Sequence, residues 1–161
     1  MMKLRVFTTG GTIDKIYFDQ KSEYQVGAPQ VLDIFRSGNV AFDFEVESLL
    51  RKDSLEISEE DRALIRERVA NDSHEHIIIT HGTDTMIRTA QALAGIPNKV
   101  IVLTGSLEPA RFKGSDAEFN IGCAVGAVQA LRPGVYIAMN GRVFHADQVK
   151  KDPAMNCFTE L

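Results

Sequence analysis

The sequence predicts an α/β fold in three layers, with a parallel β-sheet between helices on both of its faces. Two observations lead to this prediction. Short apolar runs such as His76–Thr80 and Val100–Thr104 are rich in Ile, Val and Leu, which is typical of strands buried on both faces. Segments with helical character separate these runs, and such alternation is characteristic of parallel sheets. A length of 161 residues suits one domain, so we expect a single domain over residues 1–161.

The first part of the chain begins with strands. Residues 4–8 form an apolar run, and residues 42–49 alternate between apolar and polar, which predicts two strands. Residues 20–28 are polar and contain a glycine, which favours a loop or loose hairpin placed to act as a lid over a site. Residues 58–70 are predicted to be a helix, since Ser58 can cap it and an acidic residue follows in the first turn.

The remainder of the chain continues the alternation. Further strands are predicted at His76–Thr80, Val100–Thr104 and residues 135–139. Helices are predicted at residues 84–94 and at residues 116–131, and a short hairpin or turn at residues 142–149.

Composition excludes several classes of protein. The net charge is −4 and no cluster of Lys or Arg stands out, so nucleic-acid binding has no support. No apolar run approaches the roughly 18 residues that a membrane helix needs, and the N-terminus lacks a secretory apolar region, so we expect a cytoplasmic protein. The two cysteines, with Cys123 expected to be a buried free thiol, and the four histidines fit neither a disulfide framework nor a zinc site.

The first chemical motif is T-T-G-G-T-I at residues 8–13, directly after the first predicted strand. Two glycines there allow a tight turn and a close approach of backbone N–H groups to a ligand. Thr12 is then either a catalytic hydroxyl or an ordinary cap of a turn or helix. The motif matches neither the G-x-G-x-x-G fingerprint nor a P-loop, so it carries no usual signal for nucleotide binding.

The second motif is T-H-G-T-D-T-M at residues 80–86, again at the end of a strand. Asp84 could serve only to cap the following helix. However, a hydroxyl at Thr83 beside a carboxylate suits a polar substrate that carries an amine and a carbonyl group. We interpret His81 as a partly buried histidine bonded to the backbone rather than as a base, since no carboxylate or cysteine partner is evident.

In this order, the two motifs resemble those of the bacterial-type L-asparaginase family, the asparaginase/glutaminase amidohydrolases. Further landmarks recur along nearly the whole chain. They are S-E-Y-Q-V-G at 22–27, D-S-L-E-I-S at 53–58, T-G-S at 104–106, S-D-A-E-F-N at 115–120 and V-F-H-A-D-Q-V-K-K at 143–151. The resemblance implies the Rossmann/flavodoxin-like fold of the family's N-terminal domain, without the C-terminal domain of larger members.

The resemblance also implies two groups of catalytic residues. Thr12 would be the nucleophile, and Tyr24, on the flexible loop, would help to remove its proton. Thr83, Asp84 and Lys151 would form a second cluster, in which Lys151 acts as a base.

The resemblance implies a set of substrate-binding groups as well. Asp84 would bind the α-amino group of the substrate and Ser54 its α-carboxylate. Backbone N–H groups of Gly11 and Thr83 would form an oxyanion hole, and Ser106 would line the pocket. No metal or organic cofactor is implied.

The expected activity is hydrolysis of the side-chain amide of free L-asparagine to aspartate and ammonia, through an acyl-enzyme intermediate. Two alternatives remain open at this point. One is a non-catalytic module that senses asparagine or aspartate, and the other is an amidohydrolase acting on glutamine or another small amide. Leu55 and Glu56 depart from the residues that many relatives carry after the serine, which bears on substrate selection. We also expect self-association as a dimer or tetramer.

Overall fold

The computed structural model describes all 161 residues. Its strands are β1 (Lys3–Gly10), β2 (Lys15–Phe18), β3 (Glu23–Val26), β4 (Asp43–Lys52), β5 (His76–Thr80), β6 (Val100–Thr104), β7 (Gly134–Met139), β8 (Arg142–His145), β9 (Val149–Asp152) and β10 (Cys157–Glu160). Its α-helices are α1 (Val31–Ser37), α2 (Glu59–Asn71), α3 (Met86–Ala92) and α4 (Ala117–Ala130). No helix in the structure combines the length and the apolar character that a membrane span requires.

Six strands form the central sheet, in the order β4-β1-β5-β6-β7-β8. The first five are parallel, which confirms the predicted sheet, whereas β8 runs antiparallel to β7 at one edge. A two-residue turn explains this difference, because Asn140 and Gly141 have φ angles of 55° and 73°. Left-handed turns of this kind join antiparallel neighbours, whereas parallel strands need a longer crossover.

Helices cover both faces of the sheet, so the predicted three-layer architecture is confirmed. Strand β5 shows how one sequence serves both layers: Ile77 and Ile79 pack towards α2 and α3, while Ile78 packs towards α1 and α4. All three side chains are fully buried. Each contributes roughly 1.5–3 kcal/mol through removal of its apolar surface from water, so both layers are held to the centre of the sheet.

Several element boundaries differ from the prediction. Helix α3 begins at Met86, two residues later than expected, and α1 and the β9–β10 hairpin were not predicted. The segment expected to be a loop or loose hairpin is the hairpin β2–β3. Helix α2 begins as predicted, since the Ser58 side chain and Asp61 exchange hydrogen bonds with each other's backbone N–H groups. Cys123, expected to be buried, packs against the core but stays partly exposed, because its neighbours Ile121 and Ala124 take the core-facing positions of α4. Both cysteines are free.

A buried carboxyl group lies at the base of the β2–β3 hairpin. Asp14 is 2% exposed and accepts a hydrogen bond of 2.9 Å from the backbone N–H of Gln30. Burial raises the pKa of Asp14 to about 7, against the opposing effects of that hydrogen bond and of Arg51. The folded chain therefore holds a proton that the unfolded chain releases near pH 4.

We predict that Asp14→Asn stabilises the protein more as the pH rises. Between about pH 4 and pH 7 the unfolded carboxyl ionises while the folded one stays protonated, so wild-type stability falls with rising pH. The asparagine variant lacks this loss and keeps the acceptor for Gln30. Its stability relative to the wild type should rise by roughly 3–4 kcal/mol between pH 4 and pH 8. Urea unfolding at both pH values measures this change, with Asp19→Asn, an exposed acid in the same hairpin, as the control. A difference in unfolding free energy between variant and wild type that is the same at both pH values would contradict the prediction.

Candidate active site

The residues singled out in the sequence lie where neighbouring parallel strands end. Gly11 and Thr12 follow β1, Ser54 follows β4, and Thr83 follows β5. These three strands are adjacent in the sheet. In open α/β sheets the crevice outside the carboxyl ends of the strands is the usual place for a ligand. The topology therefore brings these predicted site residues to one edge.

Two glycines bring the threonine motifs into contact. Gly11 has a φ of 84° and packs against the backbone of Gly82, so that an added Cβ would lie 2.6 Å from the Gly82 Cα and closer still to its nitrogen. No larger residue fits there. Thr12 directly follows Gly11, and Thr83 directly follows Gly82. The backbones of both threonines therefore lie next to this glycine contact.

Ser54 belongs to this contact as well. A Cβ added to Gly82 would lie 2.7 Å from the Ser54 Cβ. The hydroxyl of Thr85 donates to the Ser54 carbonyl oxygen at 2.7 Å, which ties the turn after β4 to the turn after β5. Ser54 is 2% exposed, and it stands directly before the solvent-exposed Leu55.

Lys151 joins the second threonine motif across the chain. Its Nζ donates to the Thr83 Oγ1 at 2.9 Å and to the Asp84 Oδ1 at 2.8 Å. Asp84 therefore accepts a hydrogen bond from Lys151 rather than capping α3. The helix begins at Met86, and the Thr85 side chain before it makes no capping hydrogen bond. The Lys151 side chain is 19% exposed and the Asp84 side chain 52% exposed, so the cluster opens to solvent on the Asp84 side.

The β9–β10 hairpin positions Lys151. Lys151 pairs with Phe158 in the hairpin, and Phe158 and Val149 are buried in the core beside Phe144. The backbone N–H of Phe158 also donates to the Asn140 side chain at 2.8 Å. These contacts fix the backbone of the β9–β10 hairpin. The position of Lys151 therefore does not depend only on the hydrogen bonds of its own side chain.

Tyr24 lies on the β2–β3 hairpin, and no hydrogen bond joins it to Thr12. Its ring packs against Tyr17 and Phe112, with centroids 5.4 Å and 5.5 Å away. Half of its surface is exposed. The structure therefore gives Tyr24 no hydrogen bond to Thr12, and its expected part in removing the Thr12 proton stays a prediction.

The two N–H groups expected in an oxyanion hole differ in their surroundings. The N–H of Gly11 donates to the Lys52 carbonyl oxygen at 2.9 Å, which occupies this donor. The N–H of Thr83 has no acceptor within the chain. Of the two expected donors, the one at Thr83 is thus free to bind an incoming group.

Ser106 follows β6 at the same edge and is 1% exposed. Its hydroxyl donates to the Glu108 carbonyl oxygen, which shapes the loop before α4. No group of three or more His, Cys, Asp or Glu side chains is arranged to hold a metal ion.

Sequence reasoning missed the part that Gly82 plays. Its lack of a side chain makes room for Ser54, and the only signal in the sequence was its place in the T-H-G-T motif after a buried strand.

Comparison with known proteins identifies the family to which the chain is similar. Residues 3–159 match the family model described as asparaginase, N-terminal. The L-asparaginase of Thermococcus kodakarensis is 34% identical over 157 residues, covering 93% of this chain and 48% of that protein. A solved structure of the thermostable L-asparaginase from the same organism has a TM-score of 0.87 at 31% identity, covering 99% of this chain and 51% of its own.

Two other relatives carry different names. A component of the glutamyl-tRNA(Gln) amidotransferase of Methanococcus maripaludis is 32% identical over 158 residues, covering 88% of this chain and 35% of that protein. The glutaminase-asparaginase of Acinetobacter glutaminasificans is 33% identical over 129 residues, covering 76% and 38%. The chain thus spans about half the length of its relatives or less. Since the family model matches nearly all of its residues, the chain belongs to the asparaginase family.

Proposed function

We propose that the chain is an amidohydrolase that converts free L-asparagine to L-aspartate and ammonia, with Thr12 as the nucleophile. The observation that carries this proposal is the hydrogen-bonded cluster of Lys151, Thr83 and Asp84 at the strand ends. This cluster lies beside the contact between Gly82 and Gly11, and Gly11 directly precedes Thr12. A site that only bound asparagine would not need Lys151 hydrogen-bonded to the Thr83 hydroxyl, with Thr12 as a second hydroxyl close by.

In the first step of the proposed reaction, the Thr12 Oγ attacks the side-chain carbonyl carbon of the substrate. Once the hairpin has closed, the Tyr24 hydroxyl relays the proton: its oxygen receives the proton of Thr12 while its own proton passes to the amide nitrogen. The carbonyl oxygen gathers negative charge that the Thr83 N–H stabilises. The carbon–nitrogen bond then breaks, and ammonia leaves after the nitrogen gains a proton. The product is an ester between Thr12 and the aspartyl group.

In the second step, water attacks this ester and releases aspartate. In its deprotonated form, Lys151 accepts the proton of the attacking water through the Thr83 hydroxyl, which for this step donates to the lysine Nζ instead of accepting from it. The same proton ends on the departing Thr12 oxygen, which restores the hydroxyl and the lysine. Asp84 offers its second carboxylate oxygen to the α-ammonium group of the substrate, because Lys151 occupies only the first. Ser54 and Ser106 complete the proposed pocket. Gly11 has no side chain and so permits the close approach of the two threonine motifs.

We predict that asparagine is preferred over glutamine. One methylene alone is discriminated by about 1–3 kcal/mol, or roughly 10–200-fold. When Asp84 and Ser54 hold the α-amino and α-carboxylate groups, the longer substrate also displaces its carbonyl from Thr12, and such a misplacement can cost about 10²-fold. The exposed Leu55 beside Ser54 offers no hydrogen bond to hold the longer substrate.

The test compares kcat/KM for the two amides at equal pH. A ratio near one would contradict the preference and favour a general asparaginase–glutaminase, the activity named for the Acinetobacter relative. If another small amide released ammonia and asparagine did not, the proposed substrate would be wrong, whereas the proposed reaction, amide hydrolysis, would stand.

We also propose that the chain self-associates as a dimer or tetramer. Gly122 and Gly126 lie one turn apart on the exposed side of α4, and an added Cβ would meet nothing at either position. Phe119 on the same helix is 66% exposed. Light scattering should therefore give a multiple of the chain mass, and an active monomer at assay concentration would refute this. A cytoplasmic location and a single domain over residues 1–161 stay predictions.

A further inference from the structure

A buried chain of hydrogen bonds runs behind the second threonine motif and takes no part in the proposed chemistry. His81 and Thr89 are fully buried and Arg62 is 3% exposed. The Thr89 hydroxyl lies 2.7 Å from the His81 Nε2 and accepts from the Arg62 Nε at 3.1 Å. On the other side of the ring, the His81 Nδ1 lies 2.7 Å from the Gly82 carbonyl oxygen.

The chemistry of these groups fixes the direction of every bond. A carbonyl oxygen only accepts, so the Nδ1 of His81 carries the ring proton. A guanidinium only donates, so the Thr89 oxygen accepts from Arg62 and gives its own proton to the Nε2. His81 must then be neutral. Burial lowers its pKa to about 4, and the nearby charge of Arg62 lowers it further against the opposing bond to Gly82, so the ring is neutral at physiological pH.

The bond to Gly82 controls the direction of a second group. The Gly82 carbonyl and the Thr83 N–H belong to one peptide unit, and in a trans peptide these two bonds point in opposite directions. No cis peptide occurs in the chain. With the carbonyl held on the buried His81, the N–H of Thr83 points away from the interior, and it has no acceptor within the chain.

Gly82 makes such a restraint necessary. It must be a glycine, because Ser54 leaves no room for a side chain. A glycine also gives the peptide that follows it more freedom to rotate than any other residue would. Without a bond to the carbonyl, that peptide could turn its N–H away from the crevice.

We propose that His81 is a positioning residue that holds the Gly82–Thr83 peptide with its N–H towards the substrate carbonyl, while Thr89 and Arg62 select the ring tautomer that can do so. This inference rests on the proposed function, in which the Thr83 N–H stabilises the developing negative charge. A restraint of this kind acts in the transition state, so its loss lowers kcat rather than raising KM.

Paired variants test the proposal. In His81→Asn the amide nitrogen can take the place of the Nδ1 and still donate to Gly82, whereas in His81→Gln it falls near the place of the Nε2. We expect His81→Asn to keep kcat within about tenfold, and His81→Gln and His81→Leu to lose roughly 10²–10³-fold with KM nearly unchanged. Equal losses in the asparagine and glutamine variants, or a change confined to KM, would overturn the proposal.

A spectrum of the His81 ring tests the same idea without any substrate. Nitrogen-15 NMR of the wild-type protein should show the proton on Nδ1. Thr89→Val, which removes the hydroxyl, should shift the ring towards the Nε2 tautomer, and Thr89→Ser should not. A wild-type proton on Nε2 would overturn the proposal even in an active enzyme. If the wild type releases no ammonia from any amide, the proposed function fails instead, and this spectrum still decides whether His81 holds the peptide.

Discussion

Replacing Thr12 with alanine is expected to abolish amide hydrolysis, with kcat falling roughly 10⁴-fold or more. The change removes the oxygen that attacks the substrate, and no other group in the proposed mechanism can form the acyl intermediate. The fold should survive, since the Thr12 hydroxyl makes no hydrogen bond and the turn is held by Gly10 and Gly11 against Lys52 and Gly82.

Ammonia release and circular dichroism of the same preparation measure both parts of this expectation. Thr12→Ser serves as the matched control, because it keeps a hydroxyl at the same place and should keep part of the activity. Normal turnover by the alanine variant, with unchanged circular dichroism, would remove Thr12 from the mechanism.

The second large effect is expected at Lys151. Lys151→Met keeps the length of the side chain but removes the nitrogen that contacts Thr83 and Asp84. We expect kcat to fall by about 10²–10⁴-fold, the range of a lost general base. Thr83→Val should have a similar effect. Because the lysine acts through the threonine, the double variant should be little worse than either single one.

Steady-state kinetics of the single and double variants test this coupling. Lys150→Met is the matched control, since the neighbouring lysine is exposed and makes no contact with Thr83. Losses that simply multiply in the double variant would mean that Lys151 and Thr83 act independently.

Much of the fold could be predicted because its signals are local. Strands β5 and β6 agree with the prediction at both ends, since continuous Ile and Val runs mark strands buried on both faces. The antiparallel direction of β8 was not evident, because it depends on a two-residue turn at Asn140 and Gly141 rather than on the strand itself. Helix α1 was missed because seven residues give too little periodicity.

The site depends on contacts that no local pattern contains. Lys151 and Thr83 are 68 residues apart in the chain, and only the family resemblance linked them. Taken alone, Lys151 would pass for a solvated surface lysine, because a single lysine in a short strand says nothing about what it reaches. The packing of Gly11 on Gly82 is equally invisible, since each glycine by itself indicates only a turn.

The most direct test of the central claim is the time course of ammonia release from L-asparagine by the purified 161-residue chain, with the Thr12→Ala variant as the baseline. The account predicts ammonia and aspartate in equal amounts, over many turnovers per chain, and none from the variant. Ammonia that never exceeds the baseline, while asparagine still binds, would contradict the account and show that the site only binds its ligand.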